Sequence, residues 1–522
     1  MSNPEESPKS PLKDALRALR NLAIAAVVLL GLFAAYHKYV ANSRVIDSFD
    51  KQAKDLILSD NPPQYVAAMK LLQKSLAIRS DDPYALGAGA EAAAVLWTEY
   101  GVDSYEKLAV DLDRRADKAE LNTREQFLAD ALVGVAQGHA APIEAKMTDL
   151  TKKGVAPAEV VAALGLVHAT EGKLEDARND YKQAADRAYR GARYYGLYGD
   201  ALYDMGDFAD ASTAYQRALD SNPIHLRSLI GKARADVAQN QRVDDAMNRI
   251  DDLLAKGPDE LPPVMKARAL AAKSEALLAA GNAVDAEAAA RQAIQAEVAS
   301  DPERAYAHYD LGLALAMEKK AGALQAFQDA IHANGAIARF YFQGALALAE
   351  AGDTSDGKTL IDGYRAKKDD AYQVALGDYF AATGDVDQAL SAYTAATKLS
   401  DVNPVAWYKE GYTLQRQALK LSRVKQRLKL YTQAQKAFEK AVAIRDAYPE
   451  VYRQMGLIYL DLDPHSGDAL DSFGKALKYY KELKASKETV AAFIAEVAAR
   501  YKRARQPALA REWTKEANMM MH

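Results

Sequence analysis

The sequence repeats itself with a period of 34 residues. The segment ALGLVHATEGKLEDARNDYKQAADRAY aligns without a gap with the later segment GLYGDALYDMGDFADASTAYQRALDSNP. The identical residues are paired as follows: Gly165 with Gly199, Gly172 with Gly206, Ala177 with Ala211, Tyr181 with Tyr215, and Ala184 with Ala218. A fixed period of this length restricts a chain to a stack of similar units.

Each unit reads as two helices joined by a short turn that contains glycine. The apolar residues recur at helical spacing on both sides of the turn. In the second helix, Ala211, Tyr215 and Ala218 share one face. The small residues permit close approach and the ring fills the gap between neighbouring units, so one unit is not expected to be stable alone.

This period and this pattern of small and aromatic residues resemble the tetratricopeptide repeat. Further units in the same phase contain the following residues: Ala286, Ala290 and Ala293; Gly312, Ala323, Phe327 and Ala330; Gly377, Gly384, Ala389, Tyr393 and Ala396; Gly411, Ala434, Phe438 and Ala441; Gly456, Ala469, Phe473 and Ala476. Weaker units surround Ala68 and Ala246 and lie between Asn122 and Thr151. The resemblance implies an all-α solenoid of about ten or eleven repeats over residues 61–480, closed by capping helices over 481–522.

One stretch, Gly352 to Thr359, matches the phosphate-binding pattern G-x-x-x-x-G-K-[ST]. A working loop of this kind needs a strand before the glycines and a helix after them. The preceding residues have a helical period, and the repeat phase places Gly352 in a turn between helices. We therefore interpret the match as a coincidence, and we expect Gly357→Ala to stabilise the second helix by up to about 1 kcal/mol.

The N-terminal region differs from the repeats. Residues 1–20 are expected to be a disordered tail, residues 21–37 a transmembrane helix without a charge, and residues 38–60 a linker or first helix. Two alternatives are a buried core helix and a signal peptide cleaved near Ala41-Asn42-Ser43.

Basic residues flank the apolar stretch unequally. Four precede it, namely Lys9, Lys13, Arg17 and Arg20, and three follow it, namely Lys38, Arg44 and Lys51. The difference favours a cytoplasmic tail and a solenoid in the periplasm, anchored in the inner membrane of a bacterial cell. A solenoid that faces the cytoplasm is the alternative.

Composition excludes several classes of chemistry. The chain has no cysteine, which removes disulfides and thiolate sites, and a net charge of −4, which argues against a generally basic nucleic-acid binder. The eight histidines show no metal-ligand spacing. We expect no catalytic residue, no metal and no cofactor.

A basic insertion over residues 416–430 interrupts one repeat. Its six basic residues are Arg416, Lys420, Arg423, Lys425, Arg427 and Lys429. Apolar residues keep a helical stripe through it, so it is expected to lengthen both helices into a protruding hairpin. It is interpreted as a solvated face or as a contact for an acidic protein, anionic lipid or, less readily, nucleic acid.

The resemblance also implies that protein segments bind along the concave surface formed by the first helices. Carried over by phase, the groove positions are Arg193, Asp200, Tyr203, Tyr306, Tyr309, Tyr408, Tyr412 and Arg453. The alternative is that these side chains pack between repeats. The lysine and asparagine clamp of chaperone-binding members is not found in three successive units.

The function predicted from the resemblance is a membrane-anchored scaffold for protein–protein interactions in the assembly of an envelope complex. A cytoplasm-facing receptor for protein targeting is the second reading, and a nucleotide hydrolase is the third. The expected partners are other proteins and the membrane, and not nucleic acid.

Overall fold

The described part of the chain is helical throughout. The computed structural model describes residues 11–188, 191–296, 301–366, 368–483, 485 and 487–521. In these residues the regular elements are 26 α-helices and one 3-10 helix, Asp103–Tyr105. Successive α-helices pack in thirteen pairs. The prediction of an all-α solenoid is confirmed.

The pairs follow one another along the chain. The first seven are α1 (Pro11–Ile57) and α2 (Pro62–Ile78), α3 (Pro83–Thr98) and α4 (Glu106–Lys118), α5 (Arg124–Ala136) and α6 (Ala140–Lys152), α7 (Ala158–Thr170) and α8 (Leu174–Arg187), α9 (Ala192–Met205) and α10 (Phe208–Ser221), α11 (Leu226–Ala238) and α12 (Val243–Leu254), and α13 (Pro263–Ala279) and α14 (Ala283–Gln295). The other six are α15 (Asp301–Met317) and α16 (Ala323–Ala333), α17 (Ala338–Ala351) and α18 (Thr354–Gly363), α19 (Asp370–Thr383) and α20 (Val386–Leu399), α21 (Pro404–Leu419) and α22 (Val424–Ile444), α23 (Pro449–Leu462) and α24 (Gly467–Glu482), and α25 (Lys487–Arg503) and α26 (Pro507–Met521).

A glycine of the first helix faces an aromatic ring of the second helix in six of these pairs. A Cβ atom on Gly199 would lie 2.6 Å from Cε1 of Tyr215, so any larger residue would displace the ring. The other five contacts are Gly165 with Tyr181, Gly312 with Phe327, Gly377 with Tyr393, Gly411 with Phe438, and Gly456 with Phe473. The ring of Tyr215 also touches Gly231 of the next pair. The ring of Phe327 likewise touches Gly344 of the next pair, so these two rings each join two pairs.

The pair α3 and α4 carries the same packing without the sequence pattern. Ala109 and Ala116 are fully buried, but the position between them where other units have an aromatic residue holds Asp113. Leu112 takes the place of the ring against Gly89, 3.2 Å from the position of a Cβ atom there. This substitution explains why the sequence pattern missed this pair.

The first helix is longer than the predicted transmembrane segment. Residues 1–10 of the expected tail lie outside the described residues, and α1 is already helical from Pro11. Its apolar stretch is exposed, for example Leu22 at 69% and Phe33 at 61%, whereas Ile46 and Ala53 are buried against the solenoid. One helix of the described residues, Leu19–Ile57, is long and apolar enough to cross a membrane.

The basic insertion enters mainly one helix. α21 has 16 residues, like several other first helices, whereas α22 has 21 residues. The expectation that both helices are lengthened is wrong: the extra residues extend α22 at its N-terminal end, before its buried residues begin at Tyr431.

The expected effect of Gly357→Ala is also wrong. Gly357 lies where α18 crosses α17, and a Cβ atom there would lie 2.7 Å from the backbone oxygen of Ala345. Backbone cannot move aside as a side chain can, so the cost of overpacking exceeds the gain in helix propensity.

We predict that Gly357→Ala lowers the free energy of unfolding by about 1–3 kcal/mol because of this overlap. The matched control is Gly474→Ala in α24, where no atom lies within 4 Å of the new Cβ atom and stability should rise by about 1 kcal/mol. Urea denaturation followed by circular dichroism measures both. Equal stabilisation by the two substitutions would show that the crossing at Gly357 is looser than described.

Candidate functional site

Buried and paired charged side chains fill the inner surface of the first six pairs. Asp60 follows α1 and is 5% exposed. Its carboxylate accepts from Tyr65 Oη at 2.7 Å, and lies 3.3 Å from Arg193 Nη1 and 3.1 Å from His225 Nε2. Arg193 also pairs with Glu99. The turn after α1 is thus fastened to α9 and α11, more than a hundred positions along the chain.

These partners control the ionisation of Asp60. Burial alone would raise its pKa, but the Arg193 guanidinium and the hydrogen bond from His225 outweigh burial and hold the pKa well below its usual range. Asp60 is therefore a carboxylate at neutral pH, and its charge is balanced within the chain.

A second buried carboxylate continues the network. Asp200 of α9 accepts from Tyr215 Oη at 2.6 Å, from Arg227 Nη1 at 2.5 Å and from Arg268 Nη2 at 2.8 Å. Burial opposes its ionisation, but Arg268 and Arg227 prevail and lower the pKa of Asp200 to about 2. The same Arg227 lies 3.3 Å from a Glu99 oxygen, which links Asp200 to the cluster around Asp60.

Aromatic rings and cations fill the inner surface of the next pairs. Tyr203 Oη donates to Glu275 Oε2 at 2.8 Å, and Arg234 donates two hydrogen bonds to the same carboxylate, at 3.0 and 2.7 Å. The rings of Tyr203 and Tyr306 have centroids 5.7 Å apart. The Arg339 guanidinium lies 4.8 Å from the Tyr203 ring centroid and 5.3 Å from that of Tyr306. Desolvated contacts of this kind stabilise both the cation and the rings.

Five predicted groove residues belong to this closed surface, namely Arg193, Asp200, Tyr203, Tyr306 and Tyr309. The four other than Asp200 are between 3% and 7% exposed, and the side chain of Asp200 is 16% exposed. Their contacts lie within the chain, as the alternative interpretation, in which these side chains pack between repeats, predicts. A role for them in binding a partner remains a prediction.

The inner surface of α21 and α23 is more open. Tyr408 and Tyr412 are half-buried and stack with ring centroids 6.0 Å apart. Arg453 is half-exposed and lies 2.5 Å from Glu496. A cavity of about 310 Å³ beside Tyr412 is lined by further polar side chains. They include Lys409, Arg416, Lys420 and Asp378.

The basic hairpin, residues 416–430, begins beside this surface, where Arg416 and Lys420 line the same cavity as Tyr412. Arg423 and Lys425 are exposed and Arg427 is half-exposed. Apolar side chains accompany them, with Leu419 58% exposed and Val424 57% exposed. A contact role for Arg423, Lys425 and Arg427 remains a prediction, and a solvated face is the alternative.

A groove that we did not anticipate from sequence lies on the outer side of the same pair. It has a volume of about 830 Å³ and lies between α20 and α22, with α21 as its floor. Its lining includes Leu390, Trp407, Leu414, Leu430 and Ala437. The lysines of α22 were visible in the sequence, but the apolar floor depends on how three helices diverge.

The segment that matches a phosphate-binding loop is helical on both sides. α17 precedes it, Gly352 ends that helix with a φ of 104°, and α18 follows. Lys358 pairs with Asp362 one turn on, at 2.5 Å. No strand enters the loop in this described segment, so the strand-loop-helix cradle is not formed. Among the described residues no group of three His, Asp or Glu side chains could hold a metal ion.

Comparison with known families supports the repeat assignment. A family model described as Tetratricopeptide repeat matches residues 162–223 and 374–423, and a second model of the same description matches 202–273. The comparison with curated proteins found no match.

Solved structures with a similar arrangement include yeast Tom70, at 13% identity over 91% of this chain and 97% of that chain, with a TM-score of 0.42. The APC/C hetero-tetramer Cut9–Hcn1 matches at 14% identity over 83% and 96%, with a TM-score of 0.34. The human IFIT1 dimer with PPP-AAAA matches at 15% identity over 76% and 91%, with a TM-score of 0.40. TM-scores below 0.5 carry no inference about function.

We predict that Arg193→Met destabilises the chain by about 3–5 kcal/mol, because it leaves the buried Asp60 and Glu99 short of their cation. The control is Arg453→Met, whose half-exposed ion pair with Glu496 should contribute at most about 1 kcal/mol. Thermal and urea unfolding of both variants test this. Similar losses from the two substitutions would mean that the inner network is as solvated as a surface pair.

Proposed function

Because this chain contains tetratricopeptide repeats, we propose that it is a membrane-anchored scaffold that binds other proteins in the assembly of an envelope complex. Stacked repeats of this kind present extended surfaces to protein partners. The observation that carries the proposal is α1, which has an exposed apolar stretch and then packs as the first helix of the solenoid.

The apolar part of α1 has the dimensions of a membrane span. The hydrocarbon core of a bilayer is about 30 Å thick, which about 20 helical residues cross. Leu22 and Val27 are each 69% exposed, and no part of the solenoid covers this stretch. Membrane insertion would remove these side chains from water. The helix continues without a break to Ile57, so the solenoid would be held close to the membrane surface.

For orientation, we propose that the solenoid lies in the periplasm and that the anchor lies in the inner membrane. The support is the excess of basic residues before the apolar stretch.

The open inner surface of α21 and α23 is the proposed protein-binding surface. In the first six pairs, Asp60, Arg193 and Asp200 are paired within the chain, whereas Tyr408 and Tyr412 keep exposed ring area. Rigid aromatic residues beside cations are enriched in protein interfaces. Arg453 and the basic hairpin would add charge complementarity to an acidic partner. We propose no catalytic activity.

The anchor is tested by fractionation. We expect the full chain to stay in membranes after washing with high salt or alkaline carbonate. A chain that begins at Ser43 should be soluble, because it keeps Ile46 and Ala53, which pack on the solenoid. Release of the full chain by carbonate, or a mature N-terminus near Arg44, would contradict the anchor.

The orientation is tested by protease protection. We expect a protease added to intact spheroplasts to digest the solenoid, because a periplasmic domain is accessible there. A cytoplasmic protein is the control for intact membranes. Protection of the solenoid until the cells are lysed would favour the cytoplasm-facing receptor.

The binding surface is tested by two groups of variants, with partners cross-linked to and co-purified with the full chain. Tyr408→Ala with Tyr412→Ala should weaken binding by about 2 kcal/mol or more at any salt concentration, since buried anchors act through contact. Tyr195→Ala, another half-buried tyrosine, is the control.

Charge reversal of the hairpin should act differently. Replacing Arg423, Lys425 and Arg427 with glutamate should slow association, mainly at low salt, because exposed charges are screened over about 8–10 Å. If both groups of variants fold normally by circular dichroism and bind every partner like the wild type, the proposed surface is wrong.

A further inference from the structure

The residues that line the groove between α20 and α22 have no role in the proposed function. Tyr408 and Tyr412 lie on a different face of α21 from Trp407, Glu410 and Leu414, which form the floor of the groove. We propose that this groove binds an amphipathic, acidic helix of a partner protein. Its apolar floor and its basic wall together carry the inference.

The floor offers apolar area because its polar atoms already have partners. The indole N–H of Trp407 donates to the backbone oxygen of Asp401 at 2.9 Å. The Glu410 carboxylate accepts from the hydroxyl groups of Thr394 and Thr397 at 3.1 and 2.9 Å. The remaining exposed floor is aliphatic and aromatic. A ligand for this floor must therefore present apolar side chains.

The two lysines of α22 that line the groove continue a row of lysines along that helix. Lys425, Lys429, Lys436 and Lys440 are separated by four, seven and four residues, so they share one helical face, and all four are exposed. Within the described residues none of them forms an ion pair with a carboxylate. Lys436 and Lys440 line the groove directly, together with two acids, Glu410 of the floor and Glu439. A row of unpaired cations favours a ligand with carboxylates at a matching period.

A helix fits this arrangement in length as well as in charge. The row from Lys425 to Lys440 covers about 22 Å at 1.5 Å per residue, which is about four helical turns of a ligand. An amphipathic helix repeats its apolar and acidic residues at the same period as the lysines. Peptide recognition of this type places the apolar face of a helix in a groove between receptor helices. A lipid would need one headgroup site and an enclosed tail pocket, whereas this groove is open to solvent and carries a row of charges.

The experiment uses the full chain in phosphatidylcholine nanodiscs and a fluorescein-labelled peptide of about 18 residues. The peptide has leucine at helical spacing on one face and glutamate beside it. Control peptides have the same composition in scrambled order, or lysine in place of glutamate. We expect saturable binding, measured by fluorescence anisotropy, for the acidic amphipathic peptide only, and weaker binding as salt is raised.

Two groups of variants assign the binding to the groove. Ala443→Trp places a bulky ring in the groove from an exposed position, so the core is untouched, and should weaken binding at least tenfold. Lys436→Glu with Lys440→Glu should weaken it by a similar factor, mainly at low salt. Lys502→Glu with Lys515→Glu, two exposed lysines of the last pair, is the matched control and should bind like the wild type.

Three results would overturn the inference. The first is equal binding of the scrambled peptide. The second is unchanged binding by both groove variants. The third is a chain that does not bind the peptide but does bind vesicles containing phosphatidylserine. If Ala443→Trp abolishes that vesicle binding, the groove is a lipid site. Loss of peptide binding in Tyr408→Ala with Tyr412→Ala would instead assign the peptide to the inner surface, so this proposal and the proposed inner surface fail separately.

Discussion

The contact between a glycine backbone and an aromatic ring is the constraint on which the rest of the solenoid depends. Tyr215 lies between Gly199 of its own pair and Gly231 of the next, and a Cβ atom on either glycine would overlap the ring. The ring therefore sets both the crossing within a pair and the spacing between pairs. Burial of such a ring removes about 150–250 Å² from water, and it does so only when the neighbouring pair is present. Stability is thus a property of the stack.

The stack has two regions. They differ in the sequence separation between the residues that contact each other. In the first region, Asp60 contacts Arg193 and His225 across several intervening pairs. Such contacts continue to Arg339 of α17, which lies over the ring of Tyr203 of α9. In the second region, after α18, the contacts described join neighbouring pairs, as Arg453 joins Glu496. Buried charges that pair across a superhelix add little net stability, but the loss of one partner is costly, so they favour one arrangement of the stack. The open surfaces available for partners therefore concentrate where such long-range contacts do not occur.

The sequence predicted what depends on local packing. The phase identified the ring at Tyr215 and the inward direction of Arg193, because both follow from position within a unit. The phase could not show that Arg193 is buried. Its burial depends on the curvature of the solenoid, which is the sum of many small rotations between successive pairs. The pattern missed the pair containing Asp113, because a leucine one position away supplies the packing. The effect of Gly357→Ala was predicted with the wrong sign, because helix propensity is local and the overlap with Ala345 is not.

The long-range contacts of Asp60 with Arg193 and His225 affect how easily the solenoid bends. A solenoid in which each pair touches only its neighbours behaves like a spring, and small rotations at each step bend it with little force. The contacts that join the end of α1 to α9 and α11 restrict these rotations between successive pairs, so the first six pairs should deform as one stiff body. The contact of Arg339 of α17 with Tyr203 of α9 extends this stiff part to the ninth pair, so bending is left to the pairs after Gly352. We therefore expect the N-terminal part of the solenoid, which is continuous with α1, to be stiff. The C-terminal part should bend more easily and so adapt to the shape of a bound protein.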